Sequence, residues 1–200
     1  YLPHELHMTW YSIQEKKFYT GRWALDSEAI AKVWQMGSVD VSTGLEKSFS
    51  TFMVGLAPEG KVVLWAYSSI RQIQLASSQA RDTVITAEDA REDFAYFFRP
   101  SYHEELFVDT MLYAPDLLAK LHTSGWPSPQ VFTDYELQYN WKFAISGLPE
   151  HTVNNLFYRN FNGDRERFAN NSIYNTAKAK TIPKHVYAAW KDNVGNDWVA

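Results

Sequence analysis

The sequence predicts an α+β fold, mostly β: two related antiparallel, hairpin-rich β units over 1–80 and 131–200, joined by a helical segment and loop over 81–130. Three observations predict it. Apolar and polar side chains alternate with strand period near both ends of the chain. Turn-forming pairs and triplets punctuate those stretches. Between them, Thr86 with Asp89 and Ser101 with Glu104 have the spacing of capping boxes, followed by apolar residues at helical intervals.

In chain order, Leu6, Met8 and Trp10 alternate with His7, Thr9 and Tyr11, and the pattern resumes at Tyr19, Gly21, Trp23 and Leu25, which predicts a hairpin. Asp26 and Ser27 offer oxygens to free helix N–H groups, and Ile30, Val33 and Trp34 share one helical face. Gly37 can close that helix in a left-handed conformation. Phe49–Ala57 and Lys61–Tyr67 flank Pro58-Glu59-Gly60 and form a second expected hairpin. Two or three helices are expected between Thr86 and Thr123, then a shaped loop at Gly125-Trp126-Pro127-Ser128-Pro129. Strands are predicted over Val131–Ile145, Val153–Phe161, Arg165–Ala169 and His185–Trp190, with Asn162-Gly163 as a hairpin turn.

Leu2-Pro3, Leu6, Met8 and Trp10 match Ile182-Pro183, Val186, Ala188 and Trp190 in spacing, and an aromatic follows each Trp by eight residues, Phe18 and Trp198. The match marks either a duplication, with the second copy partial, or two unrelated strands that each begin after a proline.

With 46% hydrophobic and 21% charged residues in 200, the chain can bury a core, which excludes disorder for most of it. Lys plus Arg number 19 against 23 Asp plus Glu, so the totals advertise no surface for nucleic acid. The absence of Cys excludes disulfides, thiolate metal sites and a cysteine nucleophile. No stretch approaches the roughly 20 apolar residues of a membrane-spanning helix. The first residue is Tyr1 rather than Met, as in a trimmed or mature chain.

The chemical motifs thin out on inspection. Gly55 through Lys61 fits the phosphate-loop spacing, but Val62 stands where Ser or Thr would hold magnesium, and the following residues are strand-like, so a hairpin turn is expected. His4 and His7 would point to opposite faces of a strand, and His103-Glu104-Glu105 suits a helix start, so neither is expected to bind metal. Asp134 and Glu136, two apart on a predicted strand, would share a face either as a solvated pair or as the acid and base of a glycan-acting enzyme. The many aromatics mostly belong to the core, with Trp126 the best placed for contact.

Four stretches together resemble the bacterial lipoprotein family known as domain of unknown function 2931: Leu2-Pro3 through Trp10-Tyr11-Ser12 to Phe18-Tyr19; Val54 through Gly60 running into Val62–Trp65; Tyr139-Asn140-Trp141 with Tyr158, Asn162-Gly163 and Glu166; and Ile182-Pro183-Lys184 through Trp190. The resemblance implies an exported envelope protein, lipid-anchored in the periplasm through a Cys preceding this chain, with no catalytic residues or cofactor to carry over. Some relatives accompany type VI secretion lipases, which implies a non-catalytic immunity protein that binds and inhibits a toxic phospholipase effector. The expected contact residues are Trp126, Tyr102, His103 and Asp164: a loop aromatic, a polar pair at a helix start and a hairpin tip. The alternatives are a glycan-acting envelope enzyme using Asp134 and Glu136, or a carbohydrate-binding envelope module with an aromatic platform.

Overall fold

The computed structural model describes residues 2–40, 43–90, 92–109, 111, 113–146, 153–169, 177–192 and 194–199, the side chains of 92–94 and 169 excepted. It is an α+β chain, mostly β, and every strand pairing is antiparallel.

Strands β1 (Glu5–Ser12) and β2 (Lys17–Ala24) form the first hairpin in unbroken register, from Glu5↔Ala24 to Ser12↔Lys17. Helix α1 (Ser27–Met36) starts where Asp26 accepts a hydrogen bond from the Ala29 N–H at 2.9 Å and stops at Gly37, whose φ is +53°. A two-residue ladder joins β3 (Ser38–Val39) to β4 (Glu46–Lys47). The second hairpin, β5 (Thr51–Ala57) and β6 (Lys61–Tyr67), turns at Pro58-Glu59-Gly60, where Glu59 and Gly60 have φ of +60° and +76°. A strand, not a helix, follows Lys61, as the sequence requires of a turn rather than a phosphate loop. Strand β7 (Gln72–Gln79) returns beside β6, and β8 (Arg81–Thr83) completes a three-stranded sheet in the order β1-β2-β8.

The helical segment holds a 3-10 stretch over Glu92–Phe98, then α2 (Tyr102–Val108), α3 (Pro115–Ser124) and α4 (Gln130–Asp134). After β9 (Gln138–Trp141) come β10 (Val153–Asn160), β11 (Arg165–Ala169), β12 (Lys178–Thr181), β13 (Pro183–Lys191) and β14 (Asp197–Val199). The largest sheet runs β14-β13-β10-β11-β7-β6-β5, so strands from both ends of the chain share it. They meet at one backbone pair, Arg165↔Gln72.

Two cores flank that meeting point. Val33 of α1 packs with Phe49 and Ala66, and Trp34, Ile73 and Leu75 close around them. Across the joint, Val153, Leu156, Tyr158 and Phe168 are covered by Trp141, Phe143, Ile145 and Trp190. Each large apolar side chain so buried contributes about 1.5–3 kcal/mol.

Several expectations are corrected. Val131–Ile145 is not one strand. Pro129, with φ of −53°, begins α4, and the Tyr135 N–H donates to the Val131 carbonyl at 3.1 Å, so only Gln138–Trp141 is extended. The β-branched and aromatic residues there suit a strand by propensity, and the preset proline dihedral overrides it. Ser101 does not cap α2: it already has helical dihedrals, and its hydroxyl donates to Glu105 at 2.6 Å rather than pairing with Glu104. Thr86 and Asp89 do exchange capping-box bonds, but they close a turn rather than starting an α-helix. The β10–β11 connection is a four-residue loop, 161–164, in which only Gly163 has positive φ, at +93°. The matching Trp residues also differ in partner: Trp10 pairs with Tyr19, one strand position from Phe18, whereas Trp190 pairs directly with Trp198.

Candidate functional site

The sequence spreads its expected contact residues over two regions, and the structure treats them differently. Trp126, in the loop that precedes α4, is 38% exposed and sets its ring edge-on to Phe107 of α2 at 6.0 Å. Tyr102 and His103, at the start of α2, are half-buried, with the His103 ring 5.6 Å from that of Tyr11 in β1 and that of Tyr102 edge-on to His103 at 5.8 Å. The Tyr11 hydroxyl lies 2.5 Å from His103 Nε2, and Phe18 stacks on Phe98 at 6.0 Å, so the helical segment docks by aromatic rings. Burial, then the charge of Lys16, holds the His103 imidazole below its ordinary pKa, and its Nδ1 is buried without a partner.

Asp164 is the exception. A hairpin tip usually presents its side chain to solvent, but Asp164 turns inward and accepts hydrogen bonds from the Gln74 N–H at 2.7 Å and Asn162 Nδ2 at 3.0 Å. Its neighbour is the reason. Asn162 is buried, donates to Gln74 Oε1 at 3.0 Å and accepts from the Thr181 hydroxyl at 2.8 Å, which fixes the loop against β7 and β12. Trp65 adds a second tie, its indole N–H donating to the Asn162 carbonyl at 3.2 Å. A Cβ on Gly55 would lie 2.6 Å from that indole and one on Gly163 3.1 Å, so glycine at both positions lets the ring lie flat between strand and loop.

Glu136 enters the same network from the segment after α4. Its carboxylate meets Lys61 Nζ at 2.8 Å and Gln74 Nε2 at 2.9 Å. Burial pushes the Glu136 carboxyl up, but hydrogen bonds from Lys61 and Ser77 with the Lys61 charge outweigh it, leaving the group below its ordinary range. Asp164 goes the other way: burial raises it, and Glu166 reinforces the rise against the hydrogen bonds from Asn162 and Gln74. Asp134, by contrast, accepts from Gln130 Nε2 at 2.8 Å at the end of α4. The shared strand face expected for Asp134 and Glu136 therefore does not exist, because the backbone between them is helical and then turns.

Hollows surround the network. One of about 410 Å³ is lined by Gln74, Ser77, Glu136, Gln138 and Asp164. Another of about 340 Å³ is more apolar, lined by Leu56, Trp65, Phe132, Tyr135 and Phe161 above the Lys61–Glu136 pair. A third, of about 180 Å³, holds Arg71, Tyr158, Glu166 and Lys180. There Arg71 pairs with Glu166 at 3.0 Å, and the Tyr158 hydroxyl donates to Glu166 at 3.0 Å. Carboxylates with pKa values pushed apart are an arrangement that acid–base chemistry uses. Here Glu136, Asp164 and Glu166 each already hold a cation or two donors, and that makes a rigid polar joint. Among the described residues no three His, Asp or Glu side chains gather closely enough to hold a metal ion, and no helix is long and apolar enough to cross a membrane.

Gln74 and Thr181 were not singled out in the sequence, and Lys61 figured there only as the lysine of a phosphate-loop spacing. Each sits in an ordinary strand pattern, and what gives it a role is a partner far away in the chain.

The fold and the joint define a mostly antiparallel β protein of the α+β class in which one asparagine-centred loop locks the two halves of a sheet. The chain belongs to a family described as protein of unknown function (DUF2931), whose model matches residues 1–113. That span ends within the helical segment, so β9–β14 lie beyond it. No curated protein and no solved structure matches the chain.

Proposed function

We propose that this protein is a non-catalytic immunity protein of the periplasm, held to the envelope by a lipid on a Cys preceding this chain, which binds a secreted type VI phospholipase effector and covers its substrate entrance. The observation that carries this reading is the state of the carboxylates in the hollows. Glu136, Asp164 and Glu166 are each engaged by a neighbouring cation or by amide or hydroxyl donors, so the scaffold is stiff where an enzyme would keep a group free for substrate. A stiff scaffold favours inhibition by docking, since little conformational freedom is lost on association. The family resemblance supports the same reading.

The test is to look for a lipase gene beside this protein's own, mix the purified protein with that lipase, and measure complex formation and lipid hydrolysis together. Equimolar complex with hydrolysis suppressed is the expected result. Full hydrolysis with no complex, or a gene neighbourhood without any lipase, contradicts the proposal.

A further inference from the structure

Strand register in the second half of the large sheet sets side chains in rows. Arg159 of β10 lies between Arg165 of β11 and His185 of β13, and Phe157 lies between Arg167 and Tyr187 in the adjoining row. Residues two apart on a strand share a face, so the rows form one surface. Arg159 and His185 are exposed, and Tyr187 is 40% exposed. The Arg167 guanidinium lies 5.7 Å from the centre of the Phe157 ring, and Arg165 lies 4.3 Å from that of Tyr67.

Among the described residues no carboxylate comes within ion-pair distance of Arg159, Arg165 or Arg167, and the Nε atoms of Arg165 and Arg167 are buried without a partner. The acid that register places on this face, Asp197, stands at its far end beside Lys191, at 3.7 Å. This occurs in a chain whose net charge is −4, so the rows are a cationic island on an acidic molecule.

We propose that this face of β10, β11 and β13 is a docking surface for an acidic patch on a partner protein. The proposal rests on the binding-protein reading above and names the surface that the effector would meet. Guanidinium forks match carboxylates in two-pronged hydrogen bonds, and Arg, Tyr and Phe interleaved on one sheet face supply the contact area that dominates protein interfaces. A small anion would call for a concave site, and adhesion to lipid for a larger basic cluster beside an apolar wedge.

The experiment titrates the full chain with poly-L-glutamate and, separately, with phosphatidylglycerol vesicles, and compares wild type with the double variant Arg159→Glu, Arg167→Glu. Salt-sensitive binding of poly-L-glutamate, weakened at least about 30-fold in the double variant with an unchanged unfolding midpoint, is the expected result. If the charge reversals fail to fold, the exposed pair Arg159→Ala, His185→Ala carries the same comparison, with about a tenfold loss expected. Wild type that ignores poly-L-glutamate, a folded variant that binds it equally, or preference for vesicles overturns the proposal. The phospholipase separates the two readings. A complex that survives the double variant overturns this surface and leaves the immunity reading standing. No complex with wild type, alongside intact poly-L-glutamate binding, does the reverse.

Discussion

At Gly60 one hydrogen atom in place of a methyl group decides how two hairpins meet. Its φ is +76°, and a Cβ there would lie 2.6 Å from Cδ1 of Tyr19, which is 1% exposed. The Tyr19 hydroxyl donates to Glu15 at 2.7 Å, and Glu15 accepts from the Glu59 N–H at 3.0 Å, so the tip of the first hairpin is pinned to the turn of the second. Gly60→Ala is therefore expected to cost about 2–4 kcal/mol, strain plus clash, in urea unfolding. Gly125→Ala, also at positive φ but with open space around it, should cost only the strain, about 1–2 kcal/mol. Equal costs would mean that the Tyr19 contact is soft.

Glu136 and Asp164 give stability opposite dependences on pH. The Glu136 carboxyl is depressed in the folded state, so its contribution is fully present above the ordinary glutamate range and is lost as pH falls through the lowered value. Asp164 is raised, so its contribution is present below the ordinary aspartate range and is lost as pH rises through the raised value. Glu136→Gln should destabilise by about 1–3 kcal/mol at neutral pH, because Lys61 keeps a largely buried charge with no counter-ion. It should also remove part of the acid-side decline. Thermal midpoints across pH for both proteins check this, and parallel curves would contradict it.

Among the elements, the joint between β7 and β11 is the instructive case. One backbone pair is a thin connection for a seven-stranded sheet, and side chains supply the rest: Asn162 to Gln74, Trp65 to Asn162, and Arg165 Nη2 to the Ser68 carbonyl at 2.6 Å. Asn162→Ala should cost about 2–4 kcal/mol, and hydrogen exchange should quicken in β7 and β11 before the β5–β6 hairpin. Uniform quickening would mean that the sheet opens as one unit. At the far edge, Asp192 is held down to about 2, chiefly by the Trp198 indole N–H and then by Asn196, which together fold the β13–β14 turn. Asp192→Ala should release β14 in hydrogen exchange and leave the unfolding midpoint unchanged.

Local elements were legible where local chemistry determines them. Alternation with a turn marked β1 and β2, Asp26 and Gly37 bracketed α1, and Pro58-Glu59-Gly60 marked the second hairpin. The segment after Trp126 was misread because its strand-forming residues follow Pro129, whose fixed dihedral starts a helix. Asp164 was misread for a different reason: its inward turn depends on Gln74, ninety positions earlier, which no local pattern announces. The basic rows are of the same kind, since Arg159 beside Arg165 and His185 is a matter of register rather than spacing.

As a whole the molecule joins a hydrogen-bonded polar joint to a sheet face whose arginines have no carboxylate within ion-pair distance among the described residues. On the function proposed above, such a chain acts by docking and breaks no bond itself. The decisive measurement is calorimetric titration into the proposed phospholipase effector, with lipid hydrolysis read in the same samples. Saturation at equimolar ratio is expected, with hydrolysis falling in step. A flat titration with hydrolysis intact, or hydrolysis of lipid or glycan by this protein alone, would contradict it.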